Sequence, residues 1–137
     1  MEQIHGTTVA IDGAGLLIIG PSGAGKSTVA LQLMAVGAQL VADDRTDLHR
    51  QGDSIIASAP APLRGMIEAR GIGLLAATPA PPTRLALICD LGGPDPARLP
   101  QLTQRDMAGV PVPLVKATFQ PHLYAALRQY LIGGRIA

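Results

Sequence analysis

The chain has 137 residues, 47% of them apolar, and 11 Lys and Arg against 10 Asp and Glu give a formal net charge of +1. That length points to a single domain over residues 1–137 with room for a sizeable core, and the near-neutral charge offers no basic surface for nucleic acid or an anionic membrane. No apolar run approaches the ~20 residues that span a bilayer, no basic-then-apolar leader opens the chain, and a lone Cys89 cannot form an internal disulfide, so the expected location is the cytoplasm.

With one Phe, two Tyr and no Trp, the core must be built of Leu, Ile, Val and Ala. His5-Gly6 stands just before the first predicted strand, residues 7–11, in which Val9 and Ile11 share one face and Thr8, Ala10 and Asp12 the other. A histidine near a chain end ordinarily reads as solvated surface. Gly13-Ala14-Gly15 turns the chain into the apolar run Leu16-Leu17-Ile18-Ile19, expected as a strand buried on both faces, so the two strands form a β-hairpin.

Gly20-Pro21-Ser22-Gly23-Ala24-Gly25-Lys26-Ser27 follows and fits G-x-x-x-x-G-K-[ST], the phosphate-binding P-loop. The glycines let backbone N–H groups turn toward an anion, Lys26 carries an ammonium to the outer phosphate oxygens, and Ser27 offers a hydroxyl to Mg²⁺. Val29, Ala30, Leu33, Met34 and Gly37 predict a helix over residues 27–36, whose positive end points at the same place. Strand, glycine loop and helix occur in the order the motif requires.

Gln39 to Ala42 reads as a short strand ending in Asp43-Asp44-Arg45. Carboxylates at the end of a buried strand can face such a loop; there they could hold Mg²⁺ or accept the proton of an attacking hydroxyl. Residues 46–50 and 54–58 flank Gln51-Gly52-Asp53 as a second hairpin. In Glu68-Ala69-Arg70-Gly71-Ile72-Gly73, the carboxylate and guanidinium two residues apart would share one face of an extended strand, fit either to hold metal and phosphate or to form a surface ion pair. Leu85 to Leu91 is an apolar strand carrying Asp90, a rival metal ligand of the Walker B kind. Residues 92–113, rich in Gly and Pro and containing Arg98 and Arg105, read as a long functional loop. A last strand over 114–118 and a C-terminal helix from Pro121, with Leu123, Ala126, Leu127, Tyr130 and Leu131 on one face, complete the chain.

His5-Gly6, the P-loop, Leu40 to Arg45 and Ile67 to Gly73 occur in the order and spacing of the HPr kinase/phosphorylase family, and the chain resembles its C-terminal catalytic domain in a short bacterial form. The resemblance covers about residues 5–91. It implies an α/β P-loop fold like that of phosphoenolpyruvate carboxykinase, with a mixed sheet, a β-hairpin and a C-terminal helix. It implies an ATP- and Mg²⁺-dependent serine kinase for an HPr-type phosphocarrier of the phosphotransferase system, together with the reverse phosphorolysis of phosphoserine-HPr, and it raises the prospect of a homo-oligomer. Carried over, Gly20 to Ser27 and the adjoining Thr28 bind the nucleotide, and Ser27 and Glu68 are Mg²⁺ ligands. Asp43 accepts the substrate serine proton, His5 sits against it and Asp44 is its acidic partner. Arg70 is the phosphate-side arginine, and Arg98, with Arg105 as the other choice, matches an arginine of a mobile loop. Thr28 stands where the family pattern is acidic. Two alternatives remain: a P-loop small-molecule kinase or NTPase with its metal on Asp90, and an ATP-binding sensor module that transfers nothing. No N-K-x-D stretch supports guanine specificity.

Overall fold

In the computed structural model, which describes residues 1–137, β1 (Glu2–His5) and β2 (Thr7–Ile11) precede β3 (Ala14–Ile19). Ile11 pairs with Ala14, so the hairpin turn is Asp12-Gly13, with φ of 50° and 78°. This two-residue turn matches the twist of its strands and sits one residue before the expected Gly13-Ala14-Gly15, because Asp tolerates the left-handed region that Gly takes freely. Both faces of the hairpin are buried. Val9, Ile11, Leu16 and Ile18 pack with Val29 and Leu33, whereas Ala10, Leu17 and Ile19 pack with Val41, Leu48 and Ile88. Thr8 is buried with them; its hydroxyl lies 2.8 Å from Thr46 Oγ1, which donates to the Gly6 carbonyl at 3.1 Å.

The glycine-rich loop leads into α1 (Lys26–Ala35), then β4 (Gln39–Ala42) and the hairpin of β5 (Arg45–Gln51) and β6 (Ser54–Ser58). β7 (Met66–Ala69) and β8 (Gly73–Ala76) form a separate two-stranded sheet, with β7 against α1 and β4. β9 (Thr83–Asp90), β10 (Thr103–Met107), β11 (Val110–Lys116) and α2 (Leu123–Gly133) follow. α2 packs on α1 and β2. No helix is long and apolar enough to cross a membrane.

The main sheet runs β1-β5-β6-β9-β3-β2-β4 and forks at β9. β3 occupies one edge of β9 in parallel, from Leu85 to Asp90. The other edge is shared: β6 takes Thr83 and Arg84 in antiparallel, and β11 takes Ile88 to Asp90 in parallel. Two strand directions on one edge make the sheet curl. The carboxyl ends of β3, β9 and β11 thereby meet at one rim, joined there by the start of β2 and the end of β4.

Two expectations change. Residues 92–113 are not one long loop, because Met107 pairs with Val110 around an Ala108-Gly109 turn (φ 52° and 86°) and β10 and β11 form a hairpin. Pro111 and Pro113 lie two residues apart, so both missing N–H groups fall on the same edge of β11; β9 joins that strand only from Leu114 onward. The second change is an added strand, β1, which makes His5 part of a sheet: it pairs with β5 through Glu2–Leu48 to His5–Arg45.

Cys89 is fully buried on β9, and burial, with the neighbouring Asp90 charge, pushes its thiol up to about 12. An unfolded thiol ionises near ~8.5, so between the two values the native state holds the extra proton and this group's contribution to stability is lost as pH rises. At pH 8–9 iodoacetamide should leave native Cys89 unmodified, and mass spectrometry across a urea titration should show alkylation tracking global unfolding. Fast labelling in native buffer would contradict the packing of this strand.

Candidate functional site

The rim residues converge on Asp43. Its carboxylate is buried at the end of β4 and accepts three hydrogen bonds: Oδ1 from Thr7 Oγ1 at 2.9 Å and from Ser27 Oγ at 2.8 Å, and Oδ2 from the Glu68 amide at 2.9 Å. One side chain thus ties the start of β2, the first turn of α1 and β7 together. A buried carboxylate is tolerable only when hydrogen-bonded in this way.

Asp44, next in sequence, is placed differently. Arg45 N–H donates to the Asp43 carbonyl at 2.7 Å, closing a three-residue turn with Asp44 at φ 67°. For a residue other than Gly that conformation costs on the order of 1–3 kcal/mol. The turn throws the Asp44 carboxylate outward, where its one ion pair, with Arg45 Nε at 3.9 Å, is exposed and weak.

In front of this junction lies a cavity of about 230 Å³. The loop and first helical turn contribute Ser22, Gly23, Gly25, Lys26, Ser27 and Thr28; Thr7, Asp44, Glu68 and Arg70 close the other side, and Leu31 is the single apolar residue of the lining. Lys26 folds back so that Nζ donates to the carbonyls of Gly20 at 2.8 Å and Pro21 at 3.1 Å. Gly25, at φ 106°, supports the ring of Phe119, which would stand 3.0 Å from any Cβ there. The donors are hydroxyl and carboxylate oxygens, suited to a hard cation.

The structure thus brings together Lys26, Ser27, Thr28, Asp44, Glu68 and Arg70, with Asp43 beneath them. It does not place Glu68 and Arg70 on one strand: β7 ends at Ala69, and Arg70 opens the turn to β8. Both still line the cavity. His5 is exposed at the end of β1 and is not among the donors to Asp43; the contact on this side is the Gly6 amide, which donates to the Asp44 carbonyl at 2.9 Å. Asp90, paired with Ile19, directs Oδ1 to the Gly92 amide at 2.8 Å and does not line the cavity. Arg98 is exposed in the segment after β9, and Arg105 is exposed on β10; neither lines the cavity. Sequence reasoning passed over Thr7. Its position opening a strand two residues after His5 carries no chemical signature; only the register with β3 and β4 sets it beside Asp43.

Fold and site define a mixed α/β protein whose glycine-rich strand–loop–helix faces a cluster of acidic and basic side chains at the sheet rim. The family model of the HPr serine kinase C-terminal domain matches residues 1–80, and the chain belongs to that family. It is 45% identical over 75 residues to the HPr kinase/phosphorylase of Lactiplantibacillus plantarum and 47% identical over 75 residues to that of Lactobacillus johnsonii. Each match covers 54% of this chain and 24% of the relative, so this chain matches about a quarter of the length of these proteins. In fold it is similar to the solved HPr(Ser) kinase/phosphatase of Coxiella burnetii, with a TM-score of 0.79 and 24% identity over 96% of this chain and 92% of that one.

Removing the junction should be costly. Asp43→Ala leaves Thr7 and the Glu68 amide without acceptors, and Asp43→Asn restores an acceptor at Oδ1 but turns an NH₂ group toward the Glu68 N–H. Urea denaturation should show each variant destabilised by ~1–3 kcal/mol. Asp44→Gly should do the reverse, gaining up to ~1 kcal/mol as the turn relaxes; a loss of stability in that variant would contradict the strain assigned to Asp44.

Proposed function

We propose that the protein is an ATP- and Mg²⁺-dependent serine kinase acting on an HPr-type phosphocarrier, in a P-loop fold of the phosphoenolpyruvate carboxykinase kind, with phosphorolysis of the phosphoserine product as its reverse reaction. The observation that carries this reading is the convergence of Lys26, Ser27, Asp44, Glu68 and Arg70 on one polar cavity at the start of α1, in a member of the HPr serine kinase family.

In this reading the amides of residues 20–27 hold the phosphates, and Lys26 leaves the Gly20 and Pro21 carbonyls to meet their outer oxygens. Ser27 and Glu68 hold Mg²⁺, which supplies neutralising charge at the transferring phosphoryl group. Arg70 adds a second fixed cation on that side. A serine hydroxyl is a weak nucleophile, so the remaining task is to orient it and take its proton. Asp43 takes the proton. Its Oδ1 now accepts from both Thr7 and Ser27; when the Ser27 hydroxyl turns to the metal, Thr7 keeps the carboxylate in place and a lone pair of Oδ1 is freed. Asp44, exposed in the cavity, guides the hydroxyl in.

The reading fits Asp90 less well to a metal, because its Oδ1 is engaged with the Gly92 amide. The test is transfer of label from γ-³²P-ATP, with Mg²⁺, to the serine of HPr-type carriers. Lys26→Ala and Asp43→Asn should each lower the rate by ~10²-fold or more, while Asp90→Asn stays close to wild type. Full transfer by Asp43→Asn, or loss confined to Asp90→Asn, would overturn the assignment.

A further inference from the structure

The cavity accounts for only one end of a nucleoside triphosphate. Its volume, about 230 Å³, is below the roughly 300 Å³ at which pockets begin to hold whole ligands, and its lining is almost wholly polar. Apart from Lys26 of the loop itself, its charged walls stand on one flank, contributed by β7 and by the turns after β4 and β7. A phosphate chain whose terminal group lies on that flank sends its other end across the loop toward β9 and β11. Those strands run parallel to β3 and end at the same rim, and open α/β sheets receive ligands outside such carboxyl ends.

The connection from β11 to α2 runs along the loop on this second flank and is fixed at three points. The Ala117 amide donates to the Asp90 carbonyl at 2.9 Å. Thr118 Oγ1 donates to Asp95 Oδ1 at 2.6 Å. The Phe119 ring lies on Gly25, where an added Cβ would come within 3.0 Å of Cδ2. Phe119 is only partly buried and is the one Phe of the chain. Like Tyr124 and Tyr130 of α2, it packs with one side against the core; unlike them, it also rests on the phosphate loop at Gly25. A partly open aromatic ring, held against the phosphate loop on the side opposite Glu68 and Arg70, suits the flat face of a nucleobase.

We infer that Phe119 is the nucleoside wall of the site, stacking on the purine of the nucleotide whose phosphates the loop holds. The inference rests on the phosphate-site reading above. Stacking reads the face of a base and not its edge, so ATP and GTP bind with similar affinity.

The test is calorimetry on the intact chain with two ligands, ATP and inorganic tripolyphosphate, each with Mg²⁺. Phe119→Ala should weaken ATP about tenfold and leave tripolyphosphate unchanged. Phe119→Leu, which keeps an apolar side chain on Gly25 and guards against loss of folding, should behave as Ala does, and Phe119→Tyr should restore ATP affinity. Equal loss of both ligands in Phe119→Leu would make the ring a prop for the loop and overturn the inference, as would unchanged ATP affinity in both Phe119→Ala and Phe119→Leu. If the wild type binds neither ligand, the phosphate-site reading fails first and the nucleoside wall falls with it; Lys26→Ala, expected to lose both, marks that case.

Discussion

The buried carboxylate of Asp43 is the constraint on which the rim depends. Its desolvation is offset by two hydroxyls and an amide, each from a different element. Those three donors fix where β2 begins, how α1 is entered and where β7 lies. The cavity walls inherit their positions from this junction: Ser27 and Glu68 because they supply the donors, Asp44 because it is thrown outward in the next turn. Arg70 follows from the placement of β7. A group central to the proposed chemistry is thus also a structural tie, and substitutions there will not separate the two cleanly.

The fork at β9 supplies the second constraint. One edge of this strand carries β3 and hence the glycine loop; the other carries β6 at its start and β11 at its end. The curl that results leaves the loop with two unlike flanks. One gathers Asp44, Glu68 and Arg70 around the cavity; the other carries Phe119 and the turns after β9 and β11, where Asp90 and Asp95 are engaged by the Gly92 amide and the Thr118 hydroxyl. Strand order, more than any single residue, gives the site a direction.

Most of the rim was legible in the sequence because its signals are local. The glycine loop between an apolar strand and an amphipathic helix, the short strand ending in Asp43-Asp44 and the hairpin at Gly52 each announce themselves by spacing, and the structure has them at those positions. What was not legible depends on partners distant in the chain. β1, with the sequence Glu-Gln-Ile-His, has no apolar alternation and exists because β5 offers it an edge. The second half of β11 lies within the strand expected over 114–118, but its first half hides behind Pro111 and Pro113, tolerated only where β9 does not reach. The resemblance puts His5 against Asp43; in the structure His5 is exposed at the end of β1, and the donors to Asp43 come from Thr7, Ser27 and Glu68. Thr7 and Phe119 could be read only once register and chain path were known.

The claim that unites these observations is one of polarity: the nucleotide lies across the loop with its terminal phosphate toward Glu68 and Arg70 and its base toward Phe119. A crystal structure with Mg²⁺ and a non-hydrolysable ATP analogue tests this most directly. The account predicts the terminal phosphate beside Lys26 and Arg70, the metal on Ser27 and Glu68, and the purine over the Phe119 ring. A terminal phosphate found on the Asp90 side, with the metal on that carboxylate, would contradict it.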